Sequence, residues 1–158
     1  MGAKTEALAQ KFEAKVQEAT GVMEKLSDAD WKKVTSAEKW PVGVAAHHIA
    51  EAHGIISGIV EAVAGGQSMP PFTMDALNAM NAKHATDFAG CSKAETVALH
   101  KKNAATAAAV VRAVNDADLG KSATVITGAP AMSAEQLCGL LCGHVDEHLG
   151  SIRATVGS

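Results

Sequence analysis

Two histidines one helical turn apart, His144 and His148, stand in the segment Leu140-Leu-Cys-Gly-His-Val-Asp-Glu-His-Leu-Gly-Ser-Ile152. Positions i and i+4 of a helix lie on the same side, so both imidazoles can aim a nitrogen at one cation. A third histidine, His48, lies far upstream in another apolar helical pattern, Val42-Gly-Val-Ala-Ala-His-His-Ile-Ala-Glu51. Two ligands from one helix and one from a neighbour make a His₃ site. Such a site leaves at least one coordination position open, which is the catalytic rather than the structural kind.

The helical period places these side chains. With His48 set at zero, Val44, Ala52, Ile55 and Ile59 fall within about 40°, at the centre of a buried face. His47 lies about 100° to one side and His53 about 140° to the other, which predicts rim or solvent for both. On the last helix Leu137, His148 and Thr155 fall within about 40° of His144, and Val145, Leu149 and Ile152 continue the apolar face. Three imidazoles facing one core all need polar partners, and a shared cation satisfies them together.

Glu51 and Glu147 each follow a candidate ligand by three residues, about 60° away on the wheel. Either could accept a hydrogen bond from a ligand N–H or act as a base; the alternative is a solvated surface carboxylate. Cys138 and Cys142 lie about 120° and 160° from His144, which predicts small buried hydrophobes rather than ligands. Cys91, in a Gly-Cys-Ser turn, reads as an exposed thiol without a partner. His84, four residues from Met80 and Phe88, could line a pocket but reads rather as a partly buried packing residue, and His100, beside two lysines, as solvent-facing. No phosphate loop, Ser-His-Asp order or dinucleotide fingerprint is present.

The elements that must carry these residues are helical. Leu8, Phe12, Val16, Met23 and Leu26 predict a first helix over about residues 3 to 26, with a loop around Trp31 after it. Trp40-Pro41 opens a second helix that runs to Ala64, where Gly65-Gly66 and Pro70-Pro71 stop it. A shorter helix spans about Thr73 to Phe88. Ser92-Lys-Ala-Glu95 has the form of a capping box and opens a helix to about Asn115; Ser133-Ala-Glu-Gln136 opens the last one, to about Thr155. Gly120 to Pro130 is β-branched, but a lone strand has no partner, so it reads as a crossover loop. It and Gly65–Pro71 would form mobile walls of the site's entrance. The expected fold is all-α: a four-helix bundle with an interrupted third helical segment, in a single domain over residues 1–158.

Composition agrees. Apolar residues make 47% of the 158, aromatics only 3%, and alanine is abundant, which favours closely packed helices over sheet. A net charge of −3 and scattered lysines predict no nucleic-acid partner. No apolar run approaches a membrane span, and the charged start Met1-Gly-Ala-Lys-Thr-Glu is unlike a secretory signal. Three cysteines make no disulfide framework, so a reducing cytoplasm is the expected compartment.

The pattern Trp40-Pro-x-x-Val44-Ala-x-x-His48-Ile-Ala-Glu51, followed by His144-x-x-x-His148-Leu-Gly-x-Ile152, resembles the DinB-like superfamily of small bacterial four-helix-bundle metalloproteins. In that family a Trp stands eight residues before the first metal histidine, and the last helix supplies the other two. The resemblance implies a divalent ion, usually zinc or nickel, on His48, His144 and His148, and frequent homodimers. It also implies a small-molecule substrate, with transferase or isomerase reactions that use a low-molecular-weight thiol such as bacillithiol, mycothiol or glutathione. A noncatalytic, stress-related bundle that binds a metal or small ligand is the alternative, since fold does not settle reaction.

Overall fold

The computed structural model describes residues 2–157. Its helices are α1 (Ala3–Lys25), α2 (Asp28–Lys32), α3 (Val42–Ala64), α4 (Met74–Asp87), α5 (Lys93–Ala113) and α6 (Ala134–Val156). The four long ones form the bundle. Helices α1 and α3 sit at opposite corners, each packed between α5 and α6, while α4 lies outside against α3.

Side-chain caps set the starts. Ser27, Thr73, Ser92 and Ser133 each accept a hydrogen bond from the backbone N–H three residues on, satisfying a donor that the first turn leaves free. The first turn of α1 is capped from a distance: Asp116, after α5, accepts from the amides of Lys4 and Thr5. Helix α6 ends at Gly157, whose φ of 81° is the left-handed conformation glycine adopts without strain.

Packing follows the helical period. Helix α5 buries Thr96, His100, Ala104, Ala107, Ala108 and Val111, a stripe of mostly small side chains that lets its neighbours approach closely. Phe12, Met23, Leu137, Leu141 and Leu149 fill the middle and are almost wholly buried. Each contributes about 1.5–3 kcal/mol by leaving water. Arg112 ties α5 to α1 through Glu6 and Glu13.

Three expectations are corrected. Residues around Trp31 form the short helix α2 rather than a loop, because Ser27 and Asp30 make a reciprocal capping box. Within Gly120–Pro130, Ser122 and Ala123 pair antiparallel with Ser133 and Met132 as a two-residue ladder, β1 (Ser122–Ala123) with β2 (Met132–Ser133). The partner is the extended stretch that leads into the α6 cap. Lastly, α3 is buried on nearly every side, not along one stripe. It carries only two charged side chains, Glu51 and Glu61, in 23 residues, as a helix enclosed by neighbours should. Among the described residues no helix is long and apolar enough to cross a membrane.

Candidate metal centre

His48 projects from α3, and His144 and His148 from successive turns of α6. Each offers a ring nitrogen, and the three nitrogens lie within 4.8 Å of one another. Nε2 of His48 and Nε2 of His144 are 3.0 Å apart. Around a tetrahedral ion, imidazole bonds of about 2.0–2.1 Å put neighbouring nitrogens about 3.3 Å apart. The His48–His144 separation is close to that figure, and three imidazole nitrogens are the donor chemistry that suits a divalent first-row ion.

One candidate ligand is oriented from behind. His148 Nδ1 donates to Glu38 Oε1 at 2.8 Å, and Ser151 Oγ donates to the other carboxylate oxygen at 2.6 Å. A proton held on Nδ1 leaves the Nε2 lone pair free for the cation. Burial opposes the charge of Glu38, but hydrogen bonds from Ser151, Thr35 and His148 outweigh it and keep the carboxyl below its usual range. Glu38 and Trp40 sit on a tight reversal between α2 and α3. There Thr35 N donates to Trp40 O at 2.8 Å and Val42 N to Lys33 O at 2.8 Å, with Lys39 in the left-handed region at φ 62°. The Trp40 ring lies 5.2 Å from that of His48 and stacks at 16° on His148, with centroids 6.4 Å apart.

Burial, reinforced by the neighbouring imidazoles, pushes His48 and His144 down to about 3. Both rings are therefore neutral at physiological pH, with lone pairs available. His144 lacks an outer partner like Glu38; its Nδ1 is buried without a hydrogen bond.

Beside His48 and His144 opens a cavity of about 290 Å³. Its walls are mostly apolar: Ile55 and Ile59 from α3, Leu77 and Met80 from α4, Ile126 from the crossover and Leu140 from α6. The segments after α3 and α5 meet at its edge, where Phe72 N donates to Val125 O at 2.7 Å and Thr127 N to Phe72 O at 2.8 Å. Ile55 is 46% exposed despite its place near the centre of the predicted buried face, because that face borders the cavity.

The carboxylates singled out by spacing lie elsewhere. Glu147 is exposed, with no hydrogen bond or ion pair among the described residues. Glu51 faces His84, its Oε2 3.5 Å from Nε2. The acceptor on a candidate ligand is Glu38, from a loop 110 positions away in sequence, for which local spacing carries no signal.

Three histidine expectations also fail. His47, His53 and His100 are all buried, at 6%, 1% and 0% exposure. His47 Nδ1 lies 2.8 Å from His84 Nε2 and its ring stacks on Phe88. His53 Nε2 pairs with His100 Nδ1 at 3.0 Å in the bundle centre, against Phe12. His84 is more buried than expected. The paucity of charge along α3 was the available signal that more than one face would be covered. Cys91 is half-buried, its Sγ donating to Gly43 O while its carbonyl accepts from Trp31 Nε1. Cys138 and Cys142 are buried as small hydrophobes, and burial pushes the Cys138 thiol up to about 11.

The fold has a solved counterpart. A mutant of a mycothiol-dependent maleylpyruvate isomerase superposes with a TM-score of 0.75 at 10% sequence identity. The match covers 96% of this chain, which spans 63% of the length of that enzyme. At such identity the likeness concerns the fold alone. No curated protein matches the sequence. The sequence model of the DinB superfamily matches residues 11–152, from the first helix through the last residues of the His144–Ile152 segment. The chain therefore belongs to the DinB superfamily.

Proposed function

We propose that this protein holds a divalent ion, zinc or nickel, on His48, His144 and His148 and catalyses a transfer or isomerisation of a small molecule with a low-molecular-weight thiol. The observation that carries the reading is the clustering of three imidazoles, two of them kept neutral by burial, at the edge of an apolar cavity. Bound there, a divalent ion supplies Lewis acidity and favours the thiolate form of a thiol placed beside it.

The chain's own residues supply the rest. Glu38 holds the proton on His148 Nδ1 and so keeps Nε2 directed at the site. Trp40 packs against His48 and His148 and limits their rotation. The apolar walls exclude water from the reacting groups and bind the hydrocarbon part of a substrate. Glu51 and Glu147 are not placed to take a proton in this cavity, so no carboxylate base is assigned there.

The test is to purify the protein without an affinity tag, measure its metal content, and assay it with mycothiol, bacillithiol and glutathione, each with an electrophilic acceptor. Mycothiol comes first because the structurally similar isomerase depends on it. Metal-dependent consumption of thiol that disappears in His148→Ala supports the reading. Stoichiometric metal without thiol chemistry would leave a noncatalytic metal- or ligand-binding bundle.

A further inference from the structure

A second group of metal-type donors lies one residue around α3 from the first. His47 and Glu51 stand one turn apart on α3, and His84 reaches them from α4. His84 Nε2 is 2.8 Å from His47 Nδ1 and 3.5 Å from Glu51 Oε2, and the three side chains offer ligand atoms within 4.8 Å of one another. These two separations bracket the roughly 3.3 Å between ligand atoms around a tetrahedral zinc-sized ion.

As hydrogen bonding alone, the arrangement is frustrated. In a neutral imidazole a ring nitrogen carries either one proton or one lone pair. If His84 Nε2 donates to His47, nothing is left for Glu51; if it accepts from His47, its lone pair faces the carboxylate. A cation between the three removes the conflict, since each atom then presents a lone pair to it. Two imidazoles and one carboxylate form a donor set that zinc and non-haem iron both use.

The placement of α4 points the same way. His84 is the one residue of this 14-residue helix that is buried, and its Nδ1 has no hydrogen-bond partner. A helix docked on a bundle normally inserts apolar side chains; this one inserts an imidazole against another imidazole and a carboxylate.

We propose that His47, Glu51 and His84 form a second divalent-metal site that fastens α4 to α3. It shares no ligand with the three-histidine group, so each set can be removed by substitution without deleting a ligand of the other. Because α4 supplies Leu77, Asn78 and Asn81 to the cavity beside His48 and His144, occupancy of the second site steadies that wall.

The experiment is cobalt(II) titration of chelator-stripped, untagged protein, read by absorption and elemental analysis, with amide hydrogen exchange of α4 followed in parallel. Wild type is expected to bind two equivalents. His144→Ala should keep one, and on binding it should slow exchange in α4. His84→Ala, and the near-isosteric Glu51→Gln, should keep the other equivalent without that slowing. Circular dichroism of each variant establishes that it is folded. A single equivalent that survives His84→Ala and Glu51→Gln but is lost in His144→Ala would overturn the second site while leaving the first. The reverse pattern would remove the three-histidine site and support this one.

Discussion

The Glu38 carboxylate accepts the Nδ1 proton of His148 at 2.8 Å, joining the reversal before α3 to the third turn from the end of the chain's last helix. The contact fixes both the tautomer and the tilt of the ring. Partners of this kind typically govern metal affinity by 10–100-fold. Glu38→Gln, which keeps the shape but weakens the acceptor, should therefore loosen zinc about 10-fold, and Glu38→Ala about 100-fold. Competition against a chromophoric chelator measures this directly. Equal affinity in wild type and Glu38→Ala would show that His148 is oriented by packing alone.

Stability of the metal-stripped protein should fall in mild acid. In the buried His53–His100 pair, His100 Nε2 lies 3.3 Å from Val16 O, and burial pushes His53 down to about 3 and His100 down as well. The unfolded rings titrate near 6.5, so below that pH the unfolded chain binds more protons than the folded one. Stability present above pH 6.5 is thus lost progressively as pH falls toward about 3, by up to about 1.4 kcal/mol per pH unit for each histidine. Urea midpoints at pH 7, 6 and 5 should shift downward. The double variant His53→Leu with His100→Leu should show a shallower fall; an unchanged slope would mean that this pair is not protonated on unfolding.

How far the sequence carried depends on how local each signal is. The helix starts at Ser92 and Ser133 were legible because a cap and the turn it closes are adjacent. The convergence of His48, His144 and His148 was visible from the i, i+4 spacing on α6 and an apolar stripe on α3. Glu38 was not, because its role comes from a reversal that folds back across the bundle. His47 and His53 were misplaced by one cause: the wheel assumed one covered face, whereas α3 meets α4, α5 and α6 at once. His100 was misread from its neighbours Lys101 and Lys102, which are exposed while His100 itself lies on the buried stripe of α5. The β1–β2 ladder escaped notice because its second strand is only the two residues leading into α6.

Gly43 is where α3 meets Trp31. A Cβ at this position would run into the Trp31 indole, whose Nε1 donates to Cys91 O at 2.9 Å. The indole is rigid and held, so it cannot swing aside cheaply. Gly43→Ala should destabilise the protein by about 1–3 kcal/mol through overpacking, despite alanine's better helix propensity. Thermal melts would register this as a lowered Tm. A Tm equal to or above wild type would show that α2 can move away from α3 at no cost.

The cavity beside His48 and His144 separates metal binding from turnover. Asn78 is exposed on α4 and lines that space, yet it belongs to neither histidine group. Asn78→Trp adds bulk at the mouth without touching the bundle core. If the cavity receives the thiol or its acceptor, metal stoichiometry should stay at the wild-type value. Thiol-dependent turnover should then drop about 10-fold, the factor that corresponds to roughly 1.4 kcal/mol of lost transition-state binding. The contrast with His148→Ala is the point of the measurement, since that variant should lose metal and turnover together. Full turnover in Asn78→Trp would mean that substrates approach the three imidazoles by another route and that the apolar space beside them is packing, not a binding site.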